Sequence, residues 1–236
     1  MANIRFPFDG QHFRITAPSG RIAGIDIGQG RPVLLVHGWG GQAADLSMFV
    51  PPLVADSYRA IAFDLPAHGA SDGETAPIPV CAEVLLRIQQ YVGKLHAVIA
   101  HSAGSAITVK ALAMGLDAGR VVLISAPSRC EYYARRFARD AGLKSTQIEE
   151  MLGALKEMGF DVADLSAPST VRQFCLPALL VHSDDDQIVP VADGLEIANA
   201  WPRARFLYCS RLGHSRLLRD ESTIRAIVEF IKTKNE

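Results

Sequence analysis

The sequence predicts an α/β fold of three layers, with a mostly parallel sheet of eight strands between helices. Three observations predict it. Short, wholly apolar runs alternate with longer helical patterns, as in a mainly parallel sheet covered on both faces. The first two strand patterns have no helix between them, so the sheet should start antiparallel. One stretch, 127–170, breaks the alternation with helices alone.

The first stretch, 13–27, reads as two strands around the turn Pro18-Ser19-Gly20. The later strand patterns are VLLV at 33–36, AIAF at 60–63, AVIA at 97–100, VVLI at 121–124, ALLV at 178–181 and RFLY at 205–208. Helical patterns cover 44–55, 80–92, 103–114, 191–200 and 221–232. Pro51-Pro52 should kink or interrupt the first. Pro190 suits the first turn of the fourth. Ile224, Ile227, Val228 and Ile231 give the last its apolar stripe.

Within 127–170 two further helices are expected, 131–141 and 146–158, the second after Ser145 as a candidate N-cap. Residues 1–126 and 171–236 then form one core. The 127–170 insertion forms a small helical cap over the C-terminal edge of the sheet, where ligands bind in open α/β folds. Of its apolar side chains (Tyr132, Tyr133, Phe137, Met151, Leu152, Leu155, Met158 and Phe160) most should pack the cap onto the core. The others are candidates for an acyl pocket. Arg129, Arg135, Arg136 and Arg139 make its first helix basic, most simply as a solvated face.

A chain of 236 residues, 49% hydrophobic and 21% charged, suits one α/β domain with a sizeable core. A net charge of −1 argues against a nucleic-acid partner. No apolar run reaches the roughly 18 residues of a membrane span. The start MANIRF lacks the basic and apolar regions of a secretory signal. Cys81, Cys130, Cys175 and Cys209 are far apart and form no C-x-x-C pair, so neither zinc nor redox chemistry is expected. They read as reduced, mostly buried thiols of a cytoplasmic protein.

Four segments carry chemistry. AHSAGS at 100–105 follows an apolar run and opens a helix, the context of a nucleophile elbow centred on Ser102. It departs from G-x-S-x-G at Ala100. The alternative role for Ser102 is a plain N-cap. HGWGG at 37–41 follows another apolar run, and its glycines let backbone approach a ligand. Its Trp39 N–H and the Ala103 N–H are the candidate oxyanion donors. DDDQIVP at 184–190 supplies an aspartate, and LGHS at 212–215 supplies His214. Serine, acid, histidine is the chain order of the triad in this setting, each after the end of a strand.

On these residues the chain resembles the α/β-hydrolase superfamily from about Ile15 onward, and within it small bacterial carboxylesterases, the pimeloyl-ester esterase type included. The resemblance rests on HGWGG, DLPAHGASDG at 64–73, AHSAGS, DDDQIVP and LGH. Its D-x-x-V-P pattern implies that Asp186, rather than Asp184 or Asp185, is the acid. It also implies that Asp64, His68 and Ser71 are structural.

The expected activity is therefore cleavage of a short-to-medium acyl ester by Ser102, His214 and Asp186, without a metal or organic cofactor, on a small-molecule substrate. Thioesterase, lactonase, amidase, perhydrolase or C–C hydrolase chemistry is open to the same triad. So is a receptor role. Haloalkane dehalogenase and epoxide hydrolase chemistry is disfavoured, because each needs an aspartate at position 102.

Overall fold

The computed structural model describes residues 3–157, 161, 162 and 165–233. Its eight strands are β1 (Gln11–Ala17), β2 (Gly20–Gly28), β3 (Arg31–Val36), β4 (Tyr58–Phe63), β5 (Ala97–His101), β6 (Val121–Ile124), β7 (Ala178–Ser183) and β8 (Ala204–Cys209). They form one sheet in the order β1-β2-β4-β3-β5-β6-β7-β8. β2 is antiparallel to both β1 and β4, and every later pairing is parallel. The expected antiparallel start is present.

Alternation along the strands builds the two flanking layers. Leu34, Val36, Val98, Ala100, Val121 and Leu123 share one buried cluster with the helices α2 (Ile78–Val92) and α3 (Ala103–Ala113). Val33, Leu35, Ala97, Ile99, Val122 and Ile124 face the other way, against α1 (Val50–Ala55) and α8 (Glu221–Lys232). The strands from β3 to β7 need apolar side chains on both faces, which explains their unbroken runs. β8 lies at the edge and leaves Tyr208 exposed.

Two local expectations change. The 44–55 helix is a 3₁₀ segment, Ala43–Phe49, followed by α1. Pro51 and Pro52 sit in the first turn of α1, where a missing N–H leaves no bond unmade, so they start a helix rather than kink one. Between β6 and β7 lie α4 (Cys130–Asp140), α5 (Ser145–Glu157) and an unexpected short α6 (Ala167–Val171). Ser145 is the first residue of α5 rather than its cap. The Lys144 N–H ahead of it donates to Gln147 Oε1 at 2.9 Å. Met158 and Phe160 lie outside the described residues.

Chain order places a switch point at the centre of the sheet. From β3 the chain moves outward to β4, then crosses back through α2 to β5 on the other side of β3. The loops after β3 and β5 therefore diverge and leave a crevice at the strand ends. Val36 pairs with Ala100, so the segments from His37 and from His101 leave the sheet at the same level. Among the described residues no helix is long and apolar enough to cross a membrane.

Candidate active site

Ser102 follows β5 directly and precedes the first turn of α3. Its φ of 52° and ψ of −122° are strained for a residue with a side chain, at a typical cost of about 1–3 kcal/mol. The turn fits only because its neighbours are small. A Cβ on Gly104 would lie 2.5 Å from the His37 carbonyl oxygen and 2.6 Å from that of Val36. Ala100, the departure from the usual glycine, is fully buried in β5 between Val36 and Leu123, where a methyl group packs into the core. Among the described residues Ser102 Oγ has no hydrogen-bond partner, and it does not cap α3. The N-cap role is therefore not the one it fills.

The HGWGG loop is held from below. The buried His37 donates from Nδ1 to the Gly38 carbonyl at 2.7 Å, and its Nε2 accepts the Leu65 N–H at 2.9 Å. His68 Nε2 accepts the Gly40 N–H at 3.0 Å. Asp64 accepts the N–H groups of Ala43 and Ala70, and Ser71 Oγ donates to the Asp64 carbonyl. The 64–73 stretch thus supports this loop. The N–H groups of Trp39 and Ala103 have no protein acceptor among the described residues. Ala103 opens α3, so its N–H stands at the positive end of the helix.

The three consecutive aspartates do three different things. Asp184 accepts from Ser210 Oγ at 2.9 Å and the Arg211 N–H at 3.2 Å. Asp185 accepts the Gly213 N–H at 2.7 Å. Asp186 Oδ2 accepts from His214 Nδ1 at 2.9 Å, while Oδ1 accepts the N–H groups of Ile188 and Val189 at 2.9 Å each. The His214 loop is thereby fastened residue by residue, and only the last aspartate reaches the ring. Burial alone would raise the Asp186 carboxyl. The surrounding donors outweigh it and hold the group well below the usual carboxylate range. His182 Nε2 lies 3.6 Å from Asp186 Oδ2, but its proton is aimed at the Val189 carbonyl, 2.8 Å away.

Sequence reasoning missed His101. It is buried, and its Nε2 donates to the His214 carbonyl at 2.9 Å, with the two rings 4.8 Å apart. Burial, with the neighbouring His214, pushes its pKa down to about 4, so it is neutral at neutral pH. Ser125 Oγ reaches the same carbonyl at 3.4 Å. The available signal was position: His101 is the last paired residue of β5, and Ser125 directly follows the last of β6.

Ser102, Trp39 and His214 line one cleft of about 420 Å³ together with Gly38, Gly40, Gly41, Asp45, His101, Ser215, Arg216, Leu218 and Arg219. That volume suits a small molecule. Asp186 stands behind His214. No residue of α4–α6 lines the cleft. Met151 and Leu155 pack in a separate small cluster around Ala138, Ile148 and Leu152, and Tyr132 and Phe137 are exposed. The expectation that most of these side chains pack onto the main core is corrected: Met151, Leu152 and Leu155 pack between the two helices instead, while Tyr133 is buried and donates to Asp193 outside the segment. Of the cysteines, Cys81 and Cys130 are buried with thiols pushed up to about 12, whereas Cys175 is exposed. Among the described residues no group of three His, Cys, Asp or Glu side chains converges as a metal site would.

A sequence profile of the alpha/beta hydrolase family matches residues 33–227. The chain belongs to that family. It is 20% identical, over 86% of its length and 92% of the other's, to the AB hydrolase superfamily protein YisY of Bacillus subtilis. A serine hydrolase-like protein of Danio rerio is 34% identical over 99 residues, 39% of this chain, but that match spans only 30% of the relative's length. Among solved structures, an esterase from Exiguobacterium antarcticum superposes with a TM-score of 0.77 at 17% identity, over 94% of this chain and all of the other. An esterase from Thermogutta terrifontis gives 0.74 at 20%, over 94% and 98%. These likenesses show the fold.

Proposed function

We propose that the protein is a serine hydrolase that cleaves a carboxylic ester with a short-to-medium acyl group. One observation carries this reading. A strained serine at the start of a helix shares a cleft with a histidine whose other ring nitrogen is fixed by a buried aspartate. Because Nδ1 of His214 donates to Asp186, Nε2 is the basic nitrogen. It takes the Ser102 proton as Oγ attacks the acyl carbon. Asp186 stabilises the resulting imidazolium, and the Trp39 and Ala103 N–H groups hold the oxyanion. His214 then gives the proton to the departing alcohol. Water attacks the acyl-enzyme by the same path in reverse, releasing the acid and restoring Ser102. The unbonded Ser102 Oγ of the free enzyme is compatible with this role, because catalytic hydrogen bonds are often long in the free state and tighten when substrate binds.

The α4 helix is fastened to the acid loop and to the helix after it. Arg136 donates to the Ile188 carbonyl at 3.0 Å, and Tyr133 donates to Asp193 at 2.8 Å. The free thiols support a reducing compartment, the cytoplasm. The test is fluorophosphonate labelling combined with a chain-length series of p-nitrophenyl esters. Labelling that needs Ser102, with best turnover at short or medium chains, is expected. Unlabelled wild type, or a Ser102→Ala protein of full activity, would reject the triad. Best turnover only at long chains would reject the acyl preference.

A further inference from the structure

Resting on that reading, we propose that the substrate carries an anionic group, a carboxylate or a phosphate, held by Arg216 and Arg219. Both guanidinium-bearing residues line the same cleft as Ser102. They bracket a 3₁₀ turn, Arg216–Leu218, that begins two residues after His214. Leu217 and Leu218 are buried in the main core, so the turn is anchored although both arginines are exposed. The cations are thus mounted on a fixed support beside the reacting atoms.

Arg216 is pre-aimed. Its Nε donates to the Leu212 carbonyl at 3.2 Å and one Nη to the Arg211 carbonyl at 2.8 Å. These neutral acceptors orient the guanidinium without cancelling its charge. Its nearest carboxylate oxygen, on Asp185, forms an exposed ion pair with it at 3.7 Å without a hydrogen bond, and that group also serves Gly213 and Ser183. Among the described residues no carboxylate lies within 4 Å of Arg219. The one carboxylate lining the cleft, Asp45, is turned back to the Gln42 N–H at 2.9 Å.

The basic face of α4 makes the contrast. Arg129 pairs with Glu196, Arg135 with Glu131 and Glu149, and Arg136 with Asp140 and the Ile188 carbonyl. Those arginines are engaged with the protein itself, and none lines the cleft. The two that do line it keep donors to spare. A charge-assisted bond from such a guanidinium to a bound anion is the strong kind available at a partly open site.

The experiment compares matched chromogenic esters. Mono-p-nitrophenyl glutarate is set against p-nitrophenyl butyrate for an anion on the acyl side. Acetyl 3-hydroxybenzoate is set against its methyl ester for an anion on the alcohol side. At least one anionic member should be favoured about tenfold or more in kcat/KM, with the ratio falling as salt is raised. The ratio should collapse toward one in the Arg216→Gln/Arg219→Gln double variant and in Arg219→Gln alone fall part-way. It should stay put in Arg139→Gln, an exposed residue of α4. Neutral esters preferred in both pairs, or a preference that survives the double variant, would overturn the proposal and leave the triad standing. No turnover of any ester, with no fluorophosphonate labelling, would overturn the triad and this inference together.

Discussion

The C-terminal edge of the sheet and the α4–α6 segment are neighbours built by different means. At the sheet edge, the candidate residues stand at or just beyond strand ends and are fixed by short bonds to backbone: Asp186 to Ile188 and Val189, His101 to the His214 carbonyl, His37 to Leu65. The α4–α5 stretch encloses only a small cluster of its own and is tied down largely by exposed ion pairs such as Arg129–Glu196 and Arg135–Glu149, whereas Ala167 and Val171 of α6 are buried in the main core. The first kind of support holds a geometry within fractions of an ångström. The second is weak per pair and screened by salt. The difference teaches where chemistry and where adaptability should reside.

The largest effects should come from breaking the rigid side. Ser102→Ala should lower kcat about a million-fold, read in a steady-state ester assay with labelling as control. Asp186→Asn should lower it about 10⁴-fold, because the amide holds the wrong histidine tautomer. Asp184→Asn should leave it within a few-fold, since the amide oxygen can still accept the Arg211 N–H while its NH2 donates to Ser210 Oγ. Equal losses at the two positions would dissolve the distinction between the aspartates. The same pair reads pH. Asp186 has its folded pKa depressed, so its stabilisation is present above the unfolded value of about 4 and is lost as pH falls through the folded value. The Tm gap between wild type and Asp186→Asn should be widest above about pH 4 and narrow below it.

A smaller effect is expected at His101, which acts through His214. His101→Phe should lower kcat between about 10- and 100-fold with little change in KM, and His101→Gln, which keeps a donor, should recover part of it. A fall in KM and Tm alone would make His101 merely a core residue. The smallest effect belongs to the softer side. Tyr133→Phe removes the bond to Asp193 and should destabilise α4 by about 1–2 kcal/mol, seen as faster hydrogen exchange in 130–157 with the sheet unchanged. Uniform loss across the sheet would mean that the segment and the core are one cooperative unit.

Much of this was legible in the chain. Unbroken apolar runs such as VLLV and VVLI have one cheap solution, a strand covered on both faces, and the helix between successive runs makes neighbours parallel. Ser102 was legible because a sharp strand-to-helix turn tolerates only small neighbours, here Ala100 and Gly104. What failed was local where two solutions have similar energy. Pro51-Pro52 can break a helix or begin one, and only the 3₁₀ segment before it decides. The apolar side chains of α4 and α5 can cover a core or each other, and Ile148, Leu152 and Ala138 take the second course.

By itself, then, the sequence determined the layer order, because periodicity acts between residues close along the chain, and it pointed to Ser102 and His214 as candidates, with Asp186 chosen through the family pattern. That a second histidine clasps the His214 carbonyl, and that Arg216 and Arg219 rather than the arginines of α4 line the cleft with Ser102, were decided only by tertiary structure. Those facts depend on how segments far apart in the chain, 113 residues for His101 and His214, meet at one sheet edge. No local pattern encodes the direction in which a side chain leaves such a loop.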